Sequence, residues 1–140
     1  PHQTGHIMDL MATFLDIGGI DYPRSFRDHP VIPLEGKSLA PIFHGEEREG
    51  HAALFFEDYG NRAIIAGRWK LVSRHPDDVK HLERWEYPAK SHQGRWELYN
   101  LATDRSEMTN LADQNPEKVT ELAGLYQEWA QRTGIGAETG

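Results

Sequence analysis

The sequence predicts an α+β fold: about four antiparallel strands in one sheet, with a C-terminal helix packed on one face. An N-terminal helix precedes the sheet and belongs to a different core. Three observations carry this reading. Short aromatic and β-branched runs between residues 53 and 73 are separated by two-residue turn signals, which imply hairpins. A long amphipathic stripe spans residues 116–133, with stop and start signals at its ends. Residues 6–17 place apolar side chains at helical spacing over a wide face.

The first helix is expected over His6–Ile17. Ile7, Leu10, Met11, Phe14 and Leu15 follow the i, i+3, i+4, i+7, i+8 rule, and Met8 and Ile17 widen that face, which predicts that most of it is buried. Thr4 is the expected N-cap and Gly18-Gly19 the stop. From Ile20 to Lys37 the chain carries Pro23, Pro30, Pro33 and Gly36 without periodicity and reads as a loop. Ser38 is placed to cap a short turn over residues 39–43, ending near Gly45, and Glu46 to Glu49 read as an exposed turn.

Strands are expected at residues 53–57, 62–66, 69–73 and 96–99. Asp58 to Asn61 and Gly67-Arg68 supply the turns between the first three. The polar stretch from His75 to Gly94 reads as a surface excursion. Residues 107–112 are expected to form a short helical turn. The last helix is expected over 116–133, with Asn115 as N-cap, Pro116 at the first helical position and Gly134 just past the end. Its inward stripe is Val119, Leu122, Ala123, Tyr126, Trp129 and Ala130. The N-terminal face is too wide for so small a sheet. With Pro1 as the first residue, it predicts a piece of a longer chain that self-associates when isolated. The expected division is 1–45, helix 6–17 and its loop, and 46–140, the sheet and helix 116–133.

Composition narrows the function. Among 140 residues, 22 are acidic and 15 basic, a net charge of −7. That sign argues against nucleic-acid binding, which needs a basic footprint. No apolar run approaches the ~20 residues of a membrane span, and mean hydropathy is −0.69. There is no cysteine, which removes disulfides, thiolate metal sites and thiol nucleophiles from this chain.

Three candidate sites stand out. His2 and His6 are four apart and could share a metal, but there is no H-E-x-x-H pattern and a structural zinc needs about four ligands. His75, His81 and His92 have no ligand spacing. Glu57, Asp58, Asn61 and Arg62 surround a hairpin tip, where carboxylates, an amide and a guanidinium could line a pocket. Turn chemistry alone also accounts for Asp, Gly and Asn there. Trp69, Trp96 and Trp129 fall in expected elements and read as core, whereas Trp85 in the excursion is the tryptophan suited to a ligand. A free-standing carbohydrate-binding or interaction module using Trp85 is the alternative function. G-x-S-x-G, P-loop and G-x-G-x-x-G motifs are absent.

Several segments, in order, resemble the C-terminal region of the sulfatase family, arylsulfatase type. Residues 5–19 are similar to the helix that follows the family's large catalytic sheet. Pro33-Leu34-Glu35-Gly36-Lys37-Ser38-Leu39 resembles its "LeGkSL" segment, and Glu57 to Ala63 its "E-H-x-G-N-R-A" turn. Gly67 to Val72 resembles "G-x-W-K-L". Trp96 to Leu101 with Asp104, Glu107, Asn110 and Leu111 resembles "ELYdL…D-x-x-E-x-x-N-L". The resemblance implies a sulfuric ester hydrolase whose catalytic domain lies N-terminal to this chain. It implies an aryl or carbohydrate sulfate as substrate, and a formylglycine and calcium in the full-length enzyme. It also makes residues 1–45 the end of the catalytic-domain region. No C/S-x-P-x-R nucleophile motif occurs here, so no catalytic or metal residue is carried over and the piece alone is expected to be inactive. Glu57, Asp58, Asn61 and Arg62 are the substrate-pocket candidates. Asp58 stands where the family's turn carries His, which implies a different specificity wherever that position touches substrate.

Overall fold

A computed structural model describes residues 3–74 and 94–135. The chain forms two units, Pro1–Ala52 and Ala53–Gly140. Among the described residues no helix is long and apolar enough to cross a membrane.

The first unit is organised by polar contacts. Helix α1 (Asp9–Ile17) begins three residues later than its pattern implies, with Met8 rather than Thr4 at the N-cap position. The start is set by Asp9, whose Oδ2 accepts the His6 N–H at 2.9 Å. Leu10, Met11, Phe14 and Ile17 are exposed, whereas Asp9 and Thr13 are buried. The apolar face that the spacing marks for burial is therefore uncovered in this chain, as its excess width over the small sheet predicts. The reason is that the inward face is made of hydrogen bonds. Thr13 Oγ1 donates to the Asp9 carbonyl at 2.6 Å and accepts the Leu39 N–H at 2.9 Å. The helix ends as expected, Gly19 turning the chain at φ +61°.

The Ile20–Lys37 loop contains a small hairpin that was not expected. Strands β1 (Ser25–Phe26) and β2 (His29–Pro30) pair antiparallel. Arg27 and Asp28 take φ of +49° and +66° between them, a turn usually built from Asn and Gly. Asp28 tolerates a positive φ, but Arg27 does not favour one and no glycine marks the turn. Helix α2 (Ala40–Phe43) follows, and Ser38 Oγ accepts the Ala40 N–H at 3.1 Å, as its position predicts. Gly36 is required sterically, since a Cβ there would lie 2.1 Å from the Met8 carbonyl oxygen.

The second unit is one sheet and one helix. Strands β3 (Leu54–Asp58), β4 (Asn61–Ala66), β5 (Trp69–Ser73) and β6 (Glu97–Asn100) lie in that order, each antiparallel to the next. All four are within one residue of their expected limits. Tyr59 and Gly60, at φ +48° and +82°, form the two-residue turn after β3, and Gly67 at +56° opens the turn after β4. Phe55, Ile64, Leu71 and Leu98 form one cross-strand row. Ile64, Leu71 and Leu98 are wholly buried against Leu122, Tyr126 and Ala130 of helix α3 (Pro116–Thr133). Trp69, Trp96 and Trp129 pack around that cluster, as their core assignment predicts.

Helix α3 has its expected limits. Gly134 turns left-handed at φ +74°, and the Ile135 N–H closes on the Ala130 carbonyl at 2.9 Å, a Schellman-type end. Two local details differ. The Asn115 side chain does not cap the helix; its Nδ2 donates to the Leu111 carbonyl at 3.0 Å instead. Residues 107–112 form an irregular segment with a bend at Thr109 rather than a helical turn, because side chains satisfy part of its backbone. Asn110 Oδ1 accepts both the Leu98 N–H at 3.1 Å and the Ala112 N–H at 2.9 Å.

Candidate functional site

Side chains alternate across a sheet, so the face opposite α3 carries the neighbours of the core row. Those neighbours include Phe56, Ala63, Val72 and Glu97, a second cross-strand row. They line an open cavity of about 690 Å³ in the second unit. Two residues along the strands, on the same face, the opposed pair Lys70 and Tyr99 joins the lining, and Met108 and Asn110 form a wall from the loop after β6.

All four residues proposed from the hairpin tip line this cavity. Asp58 and Asn61 pair directly at the end of β3 and β4. Glu57 and Arg62 pair one position further in, on the row that ends at Ser73. Local bonding explains part of this set. Glu57 Oε1 accepts the Gly60 N–H at 2.7 Å, and Asn61 Nδ2 donates to the Asp58 carbonyl at 3.0 Å. Turn chemistry and cavity lining thus coincide in the same residues. The Arg62 guanidinium lies 4.5 Å from the centre of the Trp96 ring and donates from Nη2 to Ser73 Oγ at 3.0 Å. By the same alternation Glu57 and Arg62 lie on the α3 side of their strands, so they reach the cavity from its edge.

The lining residues not proposed as site residues from the sequence include Lys70, Arg74, Glu97, Tyr99 and Met108. Tyr99 donates to Glu97 Oε2. Burial, then that hydrogen bond and the Glu97 charge, push the Tyr99 hydroxyl far above the usual phenol range, so it remains a donor. Lys70 Nζ bridges both oxygens of Glu107, at 2.6 and 2.8 Å. Lys70 and Glu107 sit inside recognisable motifs, but 37 residues apart, and no local pattern pairs them. Three carboxylates (Glu57, Asp58, Glu97) and three cations (Arg62, Lys70, Arg74) share the lining. Donors and acceptors so balanced suit hydroxyl groups better than an isolated dianion.

The first unit holds a second cluster, which is structural. Asp9 is fully buried. Its Oδ1 accepts from the Lys37 N–H at 2.9 Å and His51 Nε2 at 2.7 Å, and its Oδ2 from Arg48 Nη2 at 3.0 Å. Burial alone would raise its pKa. The amides of Lys37 and His6, then His51 and Arg48, outweigh that and hold the carboxyl well below the usual carboxylate range. Every lone pair of Asp9 is thereby committed, which leaves none for a metal. Among the described residues no three His, Asp or Glu side chains are grouped to hold a metal ion. The residues present therefore do not fit the calcium that the resemblance implies, and no chemistry is assigned to a metal held by this chain. His2, His75, His81, His92 and Trp85 lie outside the described residues.

No family model matches the chain. The proteins it matches include several sulfatases. It is 26% identical over 132 residues to an uncharacterized sulfatase of Schizosaccharomyces pombe, covering 92% of this chain and 22% of that protein. It is 37% identical over 65 residues to an N-acetylgalactosamine-6-O-sulfatase of Bacteroides thetaiotaomicron, covering 46% of this chain and 12% of the relative. The solved structure of a 2-O GAG sulfatase superposes with a TM-score of 0.60 at 23% identity, over 90% of this chain and 24% of that one. That likeness shows the shared α+β fold. The chain spans about a fifth or less of the curated relatives it matches.

Proposed function

We propose that this chain is the C-terminal region of a sulfatase and supplies one wall of the site that holds a carbohydrate sulfate ester. The observation that carries the reading is the similarity to sulfatases over most of this chain but only about a fifth of theirs. Hydrolysis of the ester, R–O–SO₃⁻ plus water to R–OH plus sulfate, needs a nucleophile. This chain has no cysteine and no S-x-P-x-R, so the formylglycine and its calcium belong to the N-terminal catalytic domain.

The role left to this chain is recognition. Glu57, Asp58, Asn61 and Arg62 contact the alcohol part of the ester, where mixed donors and acceptors match sugar hydroxyls. The exposed Leu10, Met11, Phe14 and Ile17 on one face of α1 dock against the catalytic domain, since contiguous apolar surface on a protein marks an interaction site.

The test is activity of the full-length protein toward sulfated hexosamines, beside the isolated 140-residue chain. The full-length protein should release sulfate, and the isolated chain should not. Asp58→Ala and Arg62→Ala should each raise KM. Sulfate release by the isolated chain, or none by the full-length protein on any sulfate ester, overturns the reading.

A further inference from the structure

The loop after β6 is held in place more firmly than a surface turn needs. Asp104 lies at its start, and its Oδ2 accepts the Thr109 N–H at 2.8 Å. Asn110 at its end pins the loop to Leu98 through the 3.1 Å bond to that amide. Between them Glu107 adopts φ +55°, a left-handed conformation uncommon for a non-glycine residue. Its carboxylate grips Lys70 of β5 through both oxygens, and about three quarters of each side chain is shielded. The next residue, Met108, is 81% exposed and lines the cavity.

A strained backbone held by a two-pronged ion pair is the arrangement expected where a neighbouring side chain must be presented rather than packed. Met108 adds little to the core of its own unit. Its flexible, polarizable thioether is suited to an apolar face of variable shape. Around it the lining is mixed: Lys70, Asn110 and Tyr99 supply polar groups, and Phe56, Ala63 and Val72 an apolar floor. The C–H face of a pyranose ring, edged by hydroxyls, has the matching pattern.

We propose that Lys70 and Glu107 are a positioning pair that holds Met108 at the cavity rim, and that Met108 is a specificity-determining contact for the sugar ring of the sulfate ester. This rests on the sulfatase reading above. The pair acts through Met108, not on the sulfate.

The test uses the full-length protein and N-acetylgalactosamine 6-sulfate. Met108→Ala, at an exposed position that folding does not depend on, should raise KM by roughly tenfold with kcat little changed. Lys70→Met and Glu107→Gln should raise KM in the same direction. The readout that a merely structural role would not move is coupling: in a Met108→Ala background, Glu107→Gln should cause no further rise. If Met108→Ala leaves KM unchanged while the parent hydrolyses the ester, the specificity role is wrong and the sulfatase reading stands. If Glu107→Gln raises KM equally with and without Met108, the positioning role is wrong. If the parent hydrolyses no sulfate ester, both readings fall together.

Discussion

Asp9 and Arg48 form an ion pair, Nη2 to Oδ2 at 3.0 Å, in which neither side chain is more than 3% exposed. Arg48 also donates to the carbonyls of Lys37 and Thr4, both at 2.8 Å, so one pair ties the approach to α1 to the segment that follows α2. Removing one partner of a buried pair leaves a charge without compensation. Asp9→Ala and Arg48→Ala should each destabilise the first unit by about 3–5 kcal/mol. The double variant should lose less than the sum, because the stranded charge is gone as well. Urea unfolding of the four proteins, followed by hydrogen exchange at residues 9–17, checks this. Additive losses would show that the two residues act separately.

The same carboxylate sets an acid limit. Its folded pKa is depressed below the unfolded value of about 3.9. A depressed carboxylate contributes stability that is fully present above the unfolded value and is lost as pH falls toward the folded one. Stability of the first unit should therefore change little from pH 7 to 5 on account of Asp9, then fall steadily below about pH 4. Asp9→Asn should start less stable, because its amide donors face the Arg48 and His51 donors, and should show a shallower acid slope. Denaturation midpoints at a series of pH values give both numbers. An unchanged slope in the Asn variant would place the acid sensitivity elsewhere.

Local order in this molecule was legible and distant polar pairing was not. The turns at Tyr59-Gly60 and Gly67 each carry a glycine at positive φ, and α3 carries Pro116 and Gly134 at its ends, so these elements announce themselves within a few positions. Arg27-Asp28 makes the same kind of turn without a glycine, and that hairpin was not read from the sequence. The spacing of α1 was correct, but its inward side depends on Asp9 finding partners 28 to 42 residues away. Apolar periodicity reports which face seeks burial, not which face this chain covers. At the cavity, Asp58 and Asn61 were visible as turn residues, whereas the Lys70–Glu107 bridge joins two separate segments.

The exposed face of α1 has its own consequence. Phe14 is 68% exposed and Met11 56%, one turn apart on the same side. In the isolated chain this surface should drive self-association. Phe14→Glu should shift the population toward monomer while leaving the α3 core intact, since Phe14 contributes nothing to it. Sedimentation velocity across a concentration series, with circular dichroism as the check on folding, reads both. An isolated chain that is monomeric at all concentrations, with Phe14→Glu indistinguishable from it, would refute the prediction.

Tyr126 presents the opposite problem, a polar group with too few partners. The residue is 3% exposed within the α3 core, ringed by Phe55, Trp96 and Trp129 at centroid distances of 5.4–6.5 Å. Its hydroxyl has no hydrogen-bond partner among the described residues. Burial, with the Glu57 charge adding to it and Arg62 opposing it, raises its pKa, so it stays protonated and unpaired at neutral pH. An unsatisfied buried hydroxyl costs about 1–3 kcal/mol of desolvation, and phenylalanine keeps the ring contacts without that cost. Tyr126→Phe should therefore be neutral or stabilising, unlike most core substitutions. Tyr126→Leu, which discards the aromatic contacts, should destabilise. Thermal unfolding of the three proteins decides the matter: a clear loss in Tyr126→Phe would mean that the hydroxyl has a bonded partner, such as an ordered water.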